Sequence, residues 1–597
     1  MKILFLTHSF NSLAQRLYVE LTRLQHTVSI EFDINDAVSA QAVTLFQPEL
    51  IIAPFLKRAI PESIWQKVPC FIVHPGIVGD RGPSALDWAM MQSQTEWGVT
   101  VLQANAEMDA GDIWAFENFP MPPVHLTKKS SLYRDQVVEA AVRAVLTAID
   151  RFTAGNYRPR TLNYAQLDVR GKKHRPIRQS DRAIDWQQDD THTILKKINA
   201  ADGFPGVLDE ISGADWYLYD AHPEARLTGV PGKIIAKRHN AICRATINSA
   251  VWIGHLKRKP DNAAASSTLK LASTKALQRY SNGILDDVPE VAFDPFEPEQ
   301  HATYRDIWFE QKNDVGYLHF AFYNGAMDTG QCQRLRQAYL KASQQNIKVI
   351  VLMGGAEFWS NGIHLNHIEC ADSPADESWR NINAMNDLAL AIIANERQFT
   401  ISALQGNAGA GGVFLSLAAD FVYARKSVIL NPHYKSMGNL YGSEYWTYLL
   451  PKRVDPDKAV PLTQNRLPIG ASEACAIGLI DDCIALDRPR FIREIEQRAE
   501  QLAHAADYAA QLQRKVEQRK QDEQQKPLQQ YRDEELQQMQ LNFYGFDPSY
   551  HVARYHFVYK IPHAWTPLYL AKHRRIKDKT SIKYCEENRR LLTDWLR

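Results

Sequence analysis

Short apolar runs separated by segments of helical spacing constrain the first hundred residues more tightly than any other feature of the chain. Residues 2–7 (Lys-Ile-Leu-Phe-Leu-Thr) read as a buried strand, and Leu13–Leu24 has helical spacing. Thr27–Phe32 reads as a second strand, Leu50–Pro54 as a third after another helix, and Cys70–His74 as a fourth that ends in Pro75-Gly76. Parallel neighbours need a crossover, and a helix that covers the sheet face is the usual one, so this alternation predicts a parallel, doubly wound sheet. Chemistry in such sheets sits at the C-terminal strand ends, where His74 falls.

The pattern changes from about Tyr164. Ala183-Ile184-Asp185-Trp186 leads into a helix, and short strands follow at Asp215–Asp220, Gly232–Lys237, Ala241–Ile247 and Ala250–His255, which suggests a small β-barrel. Pro260–Ser281, rich in Ala, Ser, Thr and Lys, reads as a linker. Strand and helix units resume at Val315–Phe322 and continue to about Leu486, and Phe491–Glu535 reads as a long solvated helix pair broken near Pro527. The expected units are 1–163, 164–258, a linker over 259–309, 310–487, and a helical extension over 488–597. The length of 597 residues is in keeping with several domains.

Composition narrows the functional classes. A net charge of +1 gives no basic excess of the kind nucleic acid selects. Seven cysteines (Cys70, Cys243, Cys332, Cys370, Cys475, Cys483, Cys585) are scattered without C-x-x-C spacing, which argues against a disulfide framework or a metal site and for free thiols in a reducing compartment. The start, Met1-Lys-Ile-Leu-Phe-Leu-Thr-His8, turns polar too soon for a signal peptide, and no apolar run approaches the roughly 18 residues that span a membrane. A cytoplasmic protein is expected, without membrane or nucleic-acid partners.

Motifs carry the chemistry further. Ile72-Val73-His74 is followed by Arg81-Gly82-Pro83-Ser84, Trp97-Gly98-Val99-Thr100 and Met108-Asp109-Ala110-Gly111. Alone, a strand-end histidine is usually a packed or surface residue, and Asp-Ala-Gly is usually a turn. Together they resemble the 10-formyltetrahydrofolate-dependent formyltransferases, whose pattern runs Asn-x-His, an Arg-Gly loop, Thr-Gly-Val-Thr and Met-Asp-x-Gly. Arg182–Trp186 and Ala200–Gly206 are similar to the second domain of methionyl-tRNA formyltransferases, so the resemblance covers about residues 1–255. It implies that His74 steadies the oxyanion, that Asp109 orients His74 or takes a proton, and that Ile72, Arg81 and Gly82 lie beside the folate. Ile72 stands where the family has Asn. Losing one oxyanion donor costs about 10²–10³ in rate. A thiol acceptor would make the reaction easier, since a thiol pKa lies near 8.5. The alternative is that this half only binds folate.

Downstream, Trp359-Ser360-Asn361-Gly362-Ile363-His364-Leu365 and Leu404–Phe414 (Leu-Gln-Gly-Asn-Ala-Gly-Ala-Gly-Gly-Val-Phe) resemble the two oxyanion-hole segments of the crotonase (enoyl-CoA hydratase/isomerase) family, and Ile469–Asp481 is similar to its next signature. The resemblance implies a ClpP/crotonase spiral fold and a thioester carbonyl held by the peptide N–H groups of Ile363 and Gly411, the latter at a helix start that favours negative charge. Hydratases hold water between two Glu residues; Phe414 and Tyr434 stand at the matching positions, so hydration is not expected. Glu444, ten residues after Tyr434 in Tyr441-Gly-Ser-Glu-Tyr-Trp446, is the candidate base, its bland alternative being a surface Glu at a helix start.

The two halves, with Phe543–Arg554 (Phe-Tyr-Gly-Phe-Asp-Pro-Ser-Tyr-His-Val-Ala-Arg) near the end, make the chain similar to the HypX/HoxX family of NiFe-hydrogenase maturation proteins. That resemblance implies an enzyme with 10-formyltetrahydrofolate and coenzyme A as substrates. It would pass the formyl group to CoA and then release CO for the hydrogenase iron, with the large-subunit precursor or its maturation proteins as partner. Arg134, Arg178 and Arg554 are candidates for the CoA nucleotide. Open alternatives are a formyl-CoA hydrolase, a non-catalytic folate- and CoA-binding chaperone, and an amine formyltransferase with an inert second half.

Overall fold

A computed structural model describes residues 1–260, 268–280 and 283–575. Parts of the expected linker (261–267 and 281–282) and the end of the expected extension, Cys585 included, lie outside the described residues.

The N-terminal sheet runs Thr27–Phe32, Lys2–Thr7, Leu50–Ala53, Cys70–His74, Glu96–Gln103, Ile113–Pro120. Its first four strands are parallel, as expected, and the last two pair antiparallel, so the sheet is mixed. The short connection between Gln103 and Ile113 serves an antiparallel pair and is too short for a crossover helix. The register sets His74 opposite Thr100 and leaves its side chain on the same face as Ile72. The helix Ser12–Arg23, capped by Asn11, and the long helix Val138–Ala154 cover one face through Leu13, Leu17, Leu21, Ala141 and Val145. A π-turn, Tyr133–Val137, precedes the second helix and carries Arg134 and Asp135.

The small domain is a six-stranded antiparallel sheet: Val207–Ile211, Ala214–Glu224, Ala250–Arg258, Ala241–Ala245 and Ile234–Arg238 in spatial order, with Lys270–Ala272 on Ala250–Arg258. That last strand and the helix Ser273–Tyr280 fall inside the stretch expected to be a linker. Leu269, Leu271, Ala276 and Leu277 bury into the small domain's core, so this part of the stretch is structural.

The C-terminal half has a six-stranded sheet (Ile307–Lys312, Val315–Phe320, Val349–Leu352, Phe399–Leu404, Phe421–Arg425, Asp482–Ile484) and a four-stranded one (Phe358–Ser360, Asn407–Gly409, Ile429–Asn431, Ile469–Gly470). Three helices follow where a solvated pair was expected: Arg488–Ala503, Tyr508–Gln525 and Leu528–Tyr544, the break falling at Pro527. The first buries Phe491, Ile495 and Ala499 and the third buries Leu528, Met539 and Phe543, while the second has no buried residue. A fourth helix, Ser549–Tyr559, carries Arg554.

Beyond it the chain returns to the N-terminal sheet. Thr566 Oγ1 accepts from Phe32 N at 2.9 Å, Leu570 O accepts from Ile30 N at 3.1 Å, and fully buried Glu31 binds His573 (2.8 Å) and Arg574 (2.6 Å). The unpaired edge of Thr27–Phe32 is thereby covered, which removes a template for unwanted strand pairing.

Candidate functional sites

His74 ends its strand buried, 5% exposed, between two carboxylates. Its Nε2 lies 2.9 Å from Asp80 Oδ1 and its Nδ1 lies 3.6 Å from Asp109 Oδ1. Burial alone would lower the histidine pKa, but the Asp80 hydrogen bond and the charges of Asp109 and Asp80 outweigh it, and the net shift is upward. Asp80, which directly precedes the Arg81-Gly82 motif, is not among the positions singled out from the sequence. Its second oxygen, Oδ2, is buried without a hydrogen-bond partner among the described residues. The turn that brings Asp80 back onto His74 depends on Gly76, where a Cβ would collide with both the imidazole and the carboxylate.

Asp109 sits in the left-handed region (φ 53°), held there by Gly82 N, which donates to its Oδ2 at 3.1 Å. Arg81 donates from Nε to Met108 O (3.1 Å) and pairs with Glu107 (2.7 Å). Arg81 and Gly82 thus direct their polar groups to the Asp109 loop. Ile72 packs partly against the apolar cluster of Leu6, Ala53 and Cys70 and offers no polar group at the position where the formyltransferase pattern has Asn.

In the second half, Gly362 lies against the first turn of the helix Gly411–Leu417; a Cβ there would come 3.3 Å from Gly411 N. Gly411 opens that helix, so its N–H has no intrahelical acceptor. Ile363 follows Gly362 directly, and the two segments expected to supply peptide donors are therefore adjacent. Ala410, just before, holds a strained φ of 48° with ψ −127°.

Glu444 is buried, 1% exposed, which excludes the surface alternative. A side chain on Gly411 would collide with its Oε1. Tyr434 Oη donates to Glu444 Oε2 at 2.5 Å and lies 3.0 Å from Ser443 O. Burial pushes the Glu444 carboxyl up to about 7; the Tyr434 hydrogen bond opposes this and the charge of Glu535 adds to it. Phe414 is fully buried and stacks on Tyr434, centroids 5.3 Å apart and planes within 13°. Phe414 thus sets an aromatic ring, and no polar group, against Tyr434.

The comparisons with known proteins follow this division. The formyl transferase family model matches residues 20–149, its C-terminal domain 176–270, and the enoyl-CoA hydratase/isomerase model 316–561. The hydrogenase maturation factor HoxX of Bradyrhizobium diazoefficiens is 50% identical over 576 residues, 96% of this chain and 97% of that protein. The chain belongs to the HoxX/HypX family of hydrogenase maturation factors. The crystal structure of HypX from Aquifex aeolicus in complex with tetrahydrofolic acid superposes with a TM-score of 0.92 at 45% identity, covering 97% of this chain and 100% of that one. The methionyl-tRNA formyltransferase of Ralstonia nicotianae is 24% identical over 228 residues, 37% of this chain and 66% of that protein.

Within this family frame the arginines expected at the CoA nucleotide have separate surroundings. Arg134 pairs with Glu357 and stacks on Phe358, tying the formyltransferase domain to the crotonase domain. Arg178 is exposed on the loop before the helical turn Gln179–Arg182. Arg554 is buried against Glu369 (2.6 Å) and the Tyr550 ring. Two of the three charges are therefore matched by a carboxylate. Among the described residues no helix is long and apolar enough to cross a membrane.

Proposed function

We propose that the chain transfers a formyl group from 10-formyltetrahydrofolate to coenzyme A at the His74 site and splits formyl-CoA into CO and CoA at the Glu444 site. In this reading CO is the ligand of the NiFe-hydrogenase iron, and the large-subunit precursor or its maturation proteins are the partners that receive it. The observation that carries the reading is the buried Glu444–Tyr434 pair against Gly411, with Phe414 where a hydratase would hold water.

In the first step the CoA sulfur attacks the formyl carbon, a C–S bond forms, the C–N bond to the folate breaks, and the thiol proton ends on the folate nitrogen. His74, whose protonated form Asp80 and Asp109 favour, donates to the developing oxyanion, and the carboxylates take up and return the proton. Ile72 offers no second donor, which suits an acceptor that forms a thiolate readily. In the second step the peptide N–H groups of Ile363 and Gly411 polarise the thioester carbonyl. Glu444 removes the formyl hydrogen as a proton, the C–S electrons leave with sulfur, CO departs, and the same proton returns to the thiolate. A carboxyl near 7 is suited to both halves of that exchange. Tyr434 holds the carboxylate and faces the formyl group. Cytoplasmic location belongs to the same reading, since both proposed small-molecule substrates are cytoplasmic.

The test is CO release from supplied formyl-CoA, trapped by haemoglobin, in the full chain and in Glu444→Gln. CO from the unaltered chain and loss of it in the variant are expected. Formate as the sole product would identify a hydrolase, and undiminished CO in Glu444→Gln would remove Glu444 from the role of base.

A further inference from the structure

We infer that Glu535, a carboxylate delivered by the C-terminal helical extension, is a positioning residue for the thioester site: it clamps the Ser443–Thr447 loop and thereby fixes Glu444 over Gly411. The inference rests on the reading of Glu444 as the base.

Glu535 lies on the helix Leu528–Tyr544, fully buried, on the face that packs Leu536, Met539 and Phe543 into the crotonase core. Its Oε2 accepts from Tyr445 N at 3.0 Å, and its Oε1 accepts from Thr447 N at 2.9 Å and Thr447 Oγ1 at 2.6 Å. These donors lie just after Glu444, in a loop whose backbone is spanned by a bond of 3.3 Å from Trp446 N to Ser443 O. Glu444 and Tyr445 both occupy the left-handed region, at φ 60° and 59°, two residues on from Gly442 at φ 95°. Two successive side-chain-bearing residues in that region persist only when their surroundings over-determine them. Asn386 supplies the other half of the clamp, its Oδ1 accepting from Ser443 Oγ and Glu444 N, both at 2.8 Å. Released from either side, the loop would relax and carry Glu444 away from Gly411.

No cation pairs with Glu535 among the described residues; Arg532, one turn earlier, is committed to Asp387 at 2.7 Å. A buried carboxylate without a counter-charge is a poor choice for stability alone. It offers what an amide cannot: acceptors on both oxygens, and a negative charge beside Glu444. Burial pushes Glu535 itself up to about 7, and its charge adds to the upward push that burial gives Glu444. Facing this pair are the phenols of Tyr434, Tyr441 and Tyr445 and the Cys332 thiol, each pushed up first by burial and further by the charge of one of the two glutamates or, at Tyr434, of both.

The sign follows from charge. Without its negative neighbour Glu444 ionises more easily, so the base form persists to lower pH. A loop displaced by about 1 Å costs on the order of 10² in rate. CO release from supplied formyl-CoA should therefore be measured against pH in the full chain and in Glu535→Gln. Folate deformylation in the same preparations reports that the rest of the chain is intact. The expected result is a loss of at least tenfold at pH 7, with the acid limb of the residual activity at lower pH and deformylation unchanged. An unchanged rate, or a loss with the acid limb unmoved, overturns the inference. If Glu535→Gln does not fold, Thr447→Val removes a single donor and should lose CO release severalfold, an unchanged rate again overturning it. Glu444→Gln run alongside separates the two failures: full CO release there overturns the base on which the inference rests, whereas an inactive Glu444→Gln beside an unaffected Glu535→Gln overturns the inference alone.

Discussion

Tyr434→Phe is the most informative single substitution, because it removes one oxygen and leaves the stack on Phe414. The Tyr434 hydroxyl has one proton and two acceptors within reach, Glu444 Oε2 at 2.5 Å and Ser443 O at 3.0 Å, and the carboxylate is the shorter contact. A hydrogen bond to a charged group contributes about 1.5–3 kcal/mol. It favours the ionised form of Glu444, and at about 1.4 kcal/mol per pH unit its loss should raise the carboxyl by about one to two units. Burial has already pushed that carboxyl to about 7. A base must be ionised, so at pH 7 the active fraction falls from about half to about 1–10%, a loss of about 5- to 50-fold. The loss should shrink as pH rises, because the acid limb moves to higher pH, opposite to the movement expected for Glu535→Gln. The assay is CO capture by haemoglobin from supplied formyl-CoA across the range from about pH 6 to 9.5, corrected for spontaneous breakdown. A loss by one constant factor at every pH would refute the reasoning, since it would mean that the hydroxyl acts on the formyl group and leaves the basicity of Glu444 alone.

The remaining predictions concern the other parts of the chain. His74→Ala and Asp109→Asn should each lose well over tenfold in folate-dependent product, within the about 10²–10⁴ that acid–base groups contribute, while supplied formyl-CoA still yields CO; full deformylation in both would end the assignment. Asp80→Asn removes a charge that raises the His74 pKa, so the protonated form is lost at lower pH and the alkaline limb of deformylation should move down; a limb that stays in place would leave Asp80 without this role. The chain should not hydrate crotonyl-CoA, since in the proposed reading buried Phe414 stands where a hydratase has a carboxylate, and steady turnover of that substrate would contradict that reading. Glu31→Ala leaves His573 buried without its carboxylate and Arg574 without its partner, a loss of about 3–5 kcal/mol by analogy with broken buried pairs, read as a lower melting temperature. Burial would raise the Glu31 carboxyl, but its hydrogen bonds with His573, Thr566 and Arg574 hold it below the ordinary range. Its contribution is therefore complete above the unfolded carboxylate pKa of about 4.3 and fades as pH falls through the lower folded value.

The sequence by itself determined the two-part architecture and singled out His74, Asp109, Tyr434 and Glu444 as candidates, because those signals are local. Period and run length mark the strands; a histidine at a strand end, Met108-Asp109-Ala110-Gly111 in a turn and paired glycine segments are each legible within a dozen residues. Phe414 excluded a water-holding carboxylate on its chemistry alone. The role of Asp80 was hidden in plain view: its bond to His74 depends on how the Pro75–Gly79 turn folds back, which composition does not specify. The strand Lys270–Ala272 was unreadable because its Ala, Ser, Thr and Lys surroundings look like a linker until the edge of Ala250–Arg258 is there to pair with. Glu535 was more deeply hidden still. It stands in a Glu- and Gln-rich helix beside exposed Glu534, its contacts with Tyr445 and Thr447 reach 90 and 88 residues along the chain, and only the docking of that helix makes one glutamate solvated and the next buried against the Glu444 loop. The same holds for Arg134 and Arg554, whose charges look free in sequence and are matched by Glu357 and Glu369 once the domains meet. Desolvation and pairing are properties of surfaces brought together by the fold, and they decide which ionisable groups act and which ones hold.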